Sequence, residues 1–132
     1  MRAIKKSIGR AATAVAGAVV AGLGLLAVPT AARAATSTCS TPYIGFGRLC
    51  ANIDPSPGYR AAFTTNANGG GLILDFNLIC DNNRWFGDGG SFRTEANREY
   101  SYVFSVGNQG NCKVRLFNMR NADFWDTAYI AP

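Results

Sequence analysis

The chain contains no histidine, and beyond residue 33 its only lysine is Lys113. Histidine is the side chain most used for proton transfer near neutral pH, so its absence excludes Ser-His-Asp and Cys-His machinery. No Gly-x-Ser-x-Gly, Gly-x-x-x-x-Gly-Lys or Gly-x-Gly-x-x-Gly pattern is present either, which removes the common hydrolase, phosphate-loop and dinucleotide signatures. Paired Cys-x-x-Cys spacing is missing as well, so a zinc site has no ligand set. Helical periodicity is absent after residue 34, and no segment there is apolar enough to span a bilayer.

The first 34 residues are of a different kind. Arg2, Lys5, Lys6 and Arg10 precede eighteen uncharged residues, Ala11 to Val28, rich in Ala and Gly. Pro29 follows, and Ala32-Arg33-Ala34 places small residues three and one positions before Ala35. This is the pattern of a secretory signal removed within two residues of Ala34. A membrane anchor would need about 20 strongly apolar residues. The expected product, residues 35–132, is a single secreted domain, extracellular or cell-surface associated, with no stable membrane insertion.

Five of the thirteen cations (Arg2, Lys5, Lys6, Arg10, Arg33) precede Ala35 and no acid does, so eight cations face eight acids afterwards and the formal charge there is zero. The basic balance of the whole chain therefore reflects export, and no nucleic-acid partner is expected.

A 98-residue domain buries a modest fraction of its unfolded surface, so covalent staples are expected. Cys39, Cys50, Cys80 and Cys112 all follow the signal, and an even count in a short exported chain implies two disulfides. The preferred pairing is Cys39 with Cys50 and Cys80 with Cys112.

Short runs of apolar alternation separated by Gly, Asn, Asp and Pro predict an all-β fold, a disulfide-stapled antiparallel sandwich or barrel of six to seven strands. Leu72, Leu74, Phe76, Leu78 and Cys80 are expected to face the core, with Ile73, Asp75, Asn77 and Ile79 opposite. Residues 99–106 and 111–119 read as the two arms of a hairpin closed by Gly107-Asn108-Gln109-Gly110. Asn68-Gly69 reads as a type I′ turn joining a strand at residues 59–64 to the one beginning at Leu72. Further strands are expected at residues 46–53, 91–95 and 124–130.

The segment Asp81 to Gly90 reads as a loop dense in oxygen ligands and glycine. It fails the EF-hand register, because Trp85, Phe86 and Phe92 occupy the fifth, sixth and twelfth positions. No metal and no cofactor is therefore expected. Its aromatics suggest recognition, since a flat indole stacks on a sugar ring or fills a partner's pocket. Arg84, Trp85 and Phe86, extended by Trp125 and Tyr129, form the candidate binding set. The expected function is a non-catalytic binding or envelope-associated protein whose partner is an extracellular glycan or a secreted protein. The alternative is an inhibitor of an extracellular hydrolase that presents residues 54–59 or 81–90. A third reading is a carboxylate-dependent hydrolase or nuclease, drawing on Glu95 or Glu99 with Arg93 or Arg98.

Overall fold

The computed structural model describes residues 34–40 and 45–132. The expected signal peptide, apart from its last residue Ala34, lies outside the described residues. Among these residues nine strands follow one another: β1 (Ser37–Cys39), β2 (Gly47–Asp54), β3 (Gly58–Thr65), β4 (Ile73–Cys80), β5 (Trp85–Gly87), β6 (Phe92–Arg93), β7 (Glu99–Phe104), β8 (Cys112–Asn118) and β9 (Phe124–Asp126). Among the described residues there is no helix. The two strands beyond the expected seven, β1 and β5, are three residues each, too short to show alternation.

The strands form two antiparallel sheets, one ordered β1-β2-β3-β7 and the other β5-β4-β8-β9 with β6 also paired to β4. The inner faces meet in one apolar core. Leu49, Ala51, Tyr59, Ala61, Phe63 and Phe104 enter it from the first sheet, Leu74, Phe76, Leu78, Val114 and Leu116 from the second. The alternation read on β4 is the one observed, with Leu74, Phe76, Leu78 and Cys80 buried. Sheet-on-sheet burial of such alternating faces is the main stabilising term of a sandwich.

Both expected hairpins are instead crossings between sheets. β7 pairs with β3, whereas β8 pairs with β4 and β9. The glycines at 107 and 110 do take positive φ, 71° and 79°. The turn they make carries the chain across the sandwich, and the buried Tyr59 hydroxyl anchors it by donating to Gly110 O (2.7 Å) and accepting from Gln109 N (3.0 Å). Likewise β3 and β4 lie in different sheets. Asn68 and Gly69 do not adopt the positive φ of a type I′ turn. Asn66 instead caps the bend by accepting from Asn68 N (2.8 Å), and Gly69 is required because a Cβ there would lie 2.4 Å from Phe46 O. Local turn chemistry signals a reversal, but whether it closes a hairpin depends on which sheet has room for the next strand.

The disulfides are Cys39–Cys50 and Cys80–Cys112, and among the described residues no cysteine is free. Each joins residues directly opposite on neighbouring strands. Both are non-hydrogen-bonded pairs: Cys80 N–H donates to Arg84 O and Cys112 N–H to Ile130 O, while Ser40 N–H donates to Leu49 O one step from Cys39–Cys50. Side chains of such pairs approach closest, which suits a disulfide. Two disulfides accord with an oxidising, extracellular setting.

The closed loops span 11 and 32 residues. Loop-closure entropy assigns them about 3 and about 4 kcal/mol. Cys80 and Cys112 are also buried in the core, whereas Cys39 and Cys50 are half-buried. Replacing both Cys80 and Cys112 by Ala is therefore expected to cost at least about 1 kcal/mol more than the same change at Cys39 and Cys50. Equilibrium denaturation of the two double variants checks this, and a larger loss at Cys39–Cys50 would contradict it.

Candidate functional site

Placing Cys80 opposite Cys112 sets the register of β4 against β8, so Asp75 faces Phe117, Asn77 faces Arg115 and Ile79 faces Lys113. These six side chains lie on the outer face of the five-stranded sheet, because their neighbours along each strand point into the core. β9 extends the face with Asp126 beside Arg115 and Phe124 beside Phe117. β5 adds Trp85 beside Ile79.

The expected loop at residues 81–90 is thus a hairpin. Cys80 N–H donates to Arg84 O and Asn83 N–H to Cys80 O, with Asn83 at φ 67° completing the reversal before β5. Oxygens considered for a metal are occupied by turn bonds: Asn82 Oδ1 accepts from Arg84 N (3.0 Å) and Asp81 Oδ2 from Asn111 Nδ2 (2.8 Å). Among the described residues no group of three or more His, Cys, Asp or Glu side chains comes together.

Arg115 sits at the centre of the face. Its Nε and Nη2 donate to the two oxygens of Asp126 at 2.6 and 2.8 Å, a two-point ion pair that fixes the guanidinium plane. That plane lies 3.8 Å from the Phe124 ring centre, 5.8 Å from Phe117 and 5.9 Å from Trp85. The cation is thus in contact with Phe124, while Phe117 and Trp85 lie near the outer limit of about 6 Å for a cation–π interaction. Lys113 Nζ reaches Asp126 at 2.7 Å and lies 5.3 Å from the Tyr129 ring centre. Burial pushes the Asp126 carboxyl up, but hydrogen bonds and charge from Arg115 and Lys113 outweigh it and leave the pKa below the usual value. The Asp126 hydrogen bond raises that of Arg115 further.

Trp85 is the most exposed large apolar side chain here, at 56 %. Its indole is nevertheless fixed, since Nε1 donates to Asn77 Oδ1 at 2.9 Å and the ring stacks on Phe117 at 6.3 Å, tilted by 12°. Asn77 in turn donates through Nδ2 to Asp75 Oδ2 at 3.2 Å. Tyr129 and Phe124 are the other exposed rings of the face, at 44 % and 49 %.

Of the five residues singled out from sequence, Trp85 and Tyr129 belong to this face and Arg84 stands exposed in the adjoining turn. Phe86 and Trp125 do not belong to it. They occupy the opposite parity of β5 and β9, pair with the buried Leu78 and Leu116, and pack against the core, Trp125 meeting Phe46 edge-on at 4.9 Å. Adjacent aromatics in a strand cannot share a face. Arg115, Phe117, Phe124 and Asn77 were missed. For Asn77, Arg115 and Phe117 the signal was the outward alternation of two strands whose terminal cysteines bond to each other; Phe124 lies on β9 and joins them through the pairing of β9 with β8.

Asp54 pairs with Gly58 across β2 and β3, so the expected plug at residues 54–59 is a tight connection of three exposed residues, with Tyr59 buried. Glu95 is taken up by Arg98, and Glu99 lies 3.8 Å from Arg60.

Asp75 and Asp88 form an interacting carboxyl pair at the margin of the face. Partial burial first, then the hydrogen bond and charge of Asp88, raise the Asp75 pKa from 3.8 to about 6. A carboxyl raised in the folded state supports stability in full below its unfolded value, and that support is lost as pH rises through about 6. Asp75→Asn keeps an acceptor for Asn77 and gives Asp88 a neutral donor. It is expected to stabilise the protein at neutral pH by about 1 kcal/mol, allowing for solvent screening, and to flatten the fall in stability between about pH 4 and pH 6. Melting temperatures across that range check it; an unchanged slope would contradict it.

No family model, no curated protein and no solved structure matches this chain, so its function is argued from the chemistry of the face itself.

Proposed function

We propose that the protein is a secreted, non-catalytic binding module whose recognition surface is the outer face of the five-stranded sheet, with an extracellular glycan as ligand. The observation that carries this reading is Trp85, more than half exposed yet fixed by Asn77 and Phe117. An exposed indole costs solvation unless a partner covers it. One that is already immobilised loses little side-chain entropy on binding.

The neighbours suit a sugar. A pyranose offers apolar C–H faces for stacking and a rim of hydroxyls for hydrogen bonds. Trp85 supplies the flat apolar surface, Asp75 on β4 and Arg115 on β8 supply polar groups on the same face, and the buried Asn77 holds the indole in place. The cations of this face are balanced in part by Asp126, which keeps it from acting as a general anion trap. Its position on strands instead of a mobile loop gives the geometry the rigidity that recognition needs.

Affinity electrophoresis of the oxidised protein through gels containing chitin, starch or bacterial cell-wall glycan tests the proposal. Retardation is expected on at least one glycan, and Trp85→Ala should weaken it tenfold or more, about 1.4 kcal/mol. Arg84→Ala, in the adjoining turn, should change it little. Migration unaffected by every glycan, or retardation indifferent to Trp85→Ala, would overturn it.

A further inference from the structure

The four-stranded sheet ends on β7, and this edge differs from the others. β1 and β9 are three residues long and β5 and β6 three and two, whereas β7 has six. Short edges are protected by having little backbone to offer. β7 reads Glu-Tyr-Ser-Tyr-Val-Phe, with neither the proline nor the lysine that commonly blunts an edge.

The ladder shows which backbone groups are free. Thr65 N–H donates to Arg98 O, and the register continues from Thr64 opposite Glu99 to Tyr59 opposite Phe104. Antiparallel alternation then turns the N–H and C=O groups of Tyr100, Tyr102 and Phe104 toward β3, and those of Glu99, Ser101 and Val103 away from the sheet. Among the described residues β7 has no second partner strand.

Beside this edge lies a cleft of about 240 Å³, lined by Phe76, Asp88, Gly89, Phe92, Tyr100 and Tyr102. It opens where the chain swings off β4 between β5 and β6. Its walls are aromatic rings already packed on one another, Phe92 at 4.9 Å from Phe76 and 5.0 Å from Tyr100. The volume is below that of sites for drug-sized ligands and suits one large side chain. Side chains opposite Tyr100 and Tyr102 on an added strand would point the same way they do, into the space between the sheets.

Charge narrows the occupant. The Asp88 carboxylate accepts backbone N–H groups, from Gly90 at 2.9 Å and Phe76 at 3.3 Å. The ion pairs among the described residues engage Glu95, Glu99 and Asp126, and leave Asp88 and its neighbour Asp75 without a cation.

We infer that β7 takes up an extended segment of a partner polypeptide as a fifth strand of its sheet, with one aromatic or large aliphatic side chain in the cleft and a Lys or Arg beside it against Asp88. Backbone bonds to Ser101 and Val103 supply sequence-independent affinity, and the cleft supplies selectivity. The edge strand β7 belongs to the other sheet from Trp85 and the cleft lies between the two sheets, so the proposal does not rest on glycan binding.

Selection of random linear heptapeptides on the oxidised full-length protein, followed by titration of the best synthetic peptide, tests this. Enrichment of one large apolar residue with a neighbouring Lys or Arg is expected. N-methylation of alternate peptide residues should abolish binding in one parity and spare it in the other, a pattern that side-chain docking alone would not give. Two protein variants complement it. Val103→Pro removes an edge donor without touching the bonds to β3, and Gly89→Leu fills the cleft mouth from a position where a Cβ meets nothing within 4 Å. Each should weaken the peptide tenfold or more while melting like the parent. Should Val103→Pro not fold, the methylation pattern and Gly89→Leu still decide. Failure to enrich such peptides, insensitivity to methylation parity, or unchanged binding by folded Gly89→Leu would overturn the proposal. A concentration-dependent dimer dissolved by Val103→Pro would also overturn it, by making the occupant a second copy.

Discussion

The bond between Cys80 and Cys112 holds β4 and β8 in one register, and the sides of the five-stranded sheet follow from that register. In a strand the side chains alternate, so a slip by one residue would exchange the faces. Leu74, Phe76 and Leu78 would leave the core, and Asp75 and Asn77 would enter it without partners. Burying two such polar groups costs several kcal/mol. The disulfide and the apolar pattern therefore enforce the same arrangement. The outer face is its by-product: the residues excluded from the core are assembled side by side in fixed positions.

On that face Arg115 organises what surrounds it. Asp126 holds its guanidinium by two bonds, and the guanidinium spaces the rings of Phe124, Phe117 and Trp85 around itself. Arginine suits this role better than lysine, because its planar head can be held at the edge by a carboxylate while its faces remain free for rings. The same logic runs from Trp85 through Asn77 to Asp75, where each polar atom is oriented by the next. Binding to such a surface requires little rearrangement, which favours affinity from few contacts. At the opposite side of the sandwich the core is less completely closed, since β4 is flanked by two short strands instead of one long one, and the gap between them leaves the cleft beside β7.

Much of this was legible in the sequence. Alternation at Leu72–Cys80 identified the central strand and its buried face; the even cysteine count predicted two disulfides but not their connectivity, and the pairing preferred among the three possible ones is the one observed. What misled was turn chemistry taken as topology. Asn68-Gly69 and Gly107–Gly110 mark genuine reversals, yet each lies between strands of different sheets, because pairing partners are chosen by long-range packing that no local turn encodes. The aromatics divided for a simpler reason. Trp85 and Phe86 are neighbours in a strand, as are Phe124 and Trp125, so one of each pair had to face inward; residues 81–90, read as a loop, offered no parity to choose by, and the expected strand at residues 124–130 did not say which parity was the inner one. Arg115 and Phe124 escaped notice because their role depends on proximity across strands, which appears once the register is known.

The two tryptophans make the central claim directly observable, since Trp85 lies on the outer face and Trp125 packs against the core. Their indole N–H resonances can be followed in a two-dimensional NMR titration of the oxidised protein with soluble fragments of cell-wall glycan, chitin and starch. The account predicts that one glycan shifts the Trp85 signal progressively to saturation while that of Trp125 stays in place. A Trp85 resonance indifferent to every glycan, or a Trp125 resonance that moves in its stead, would contradict it.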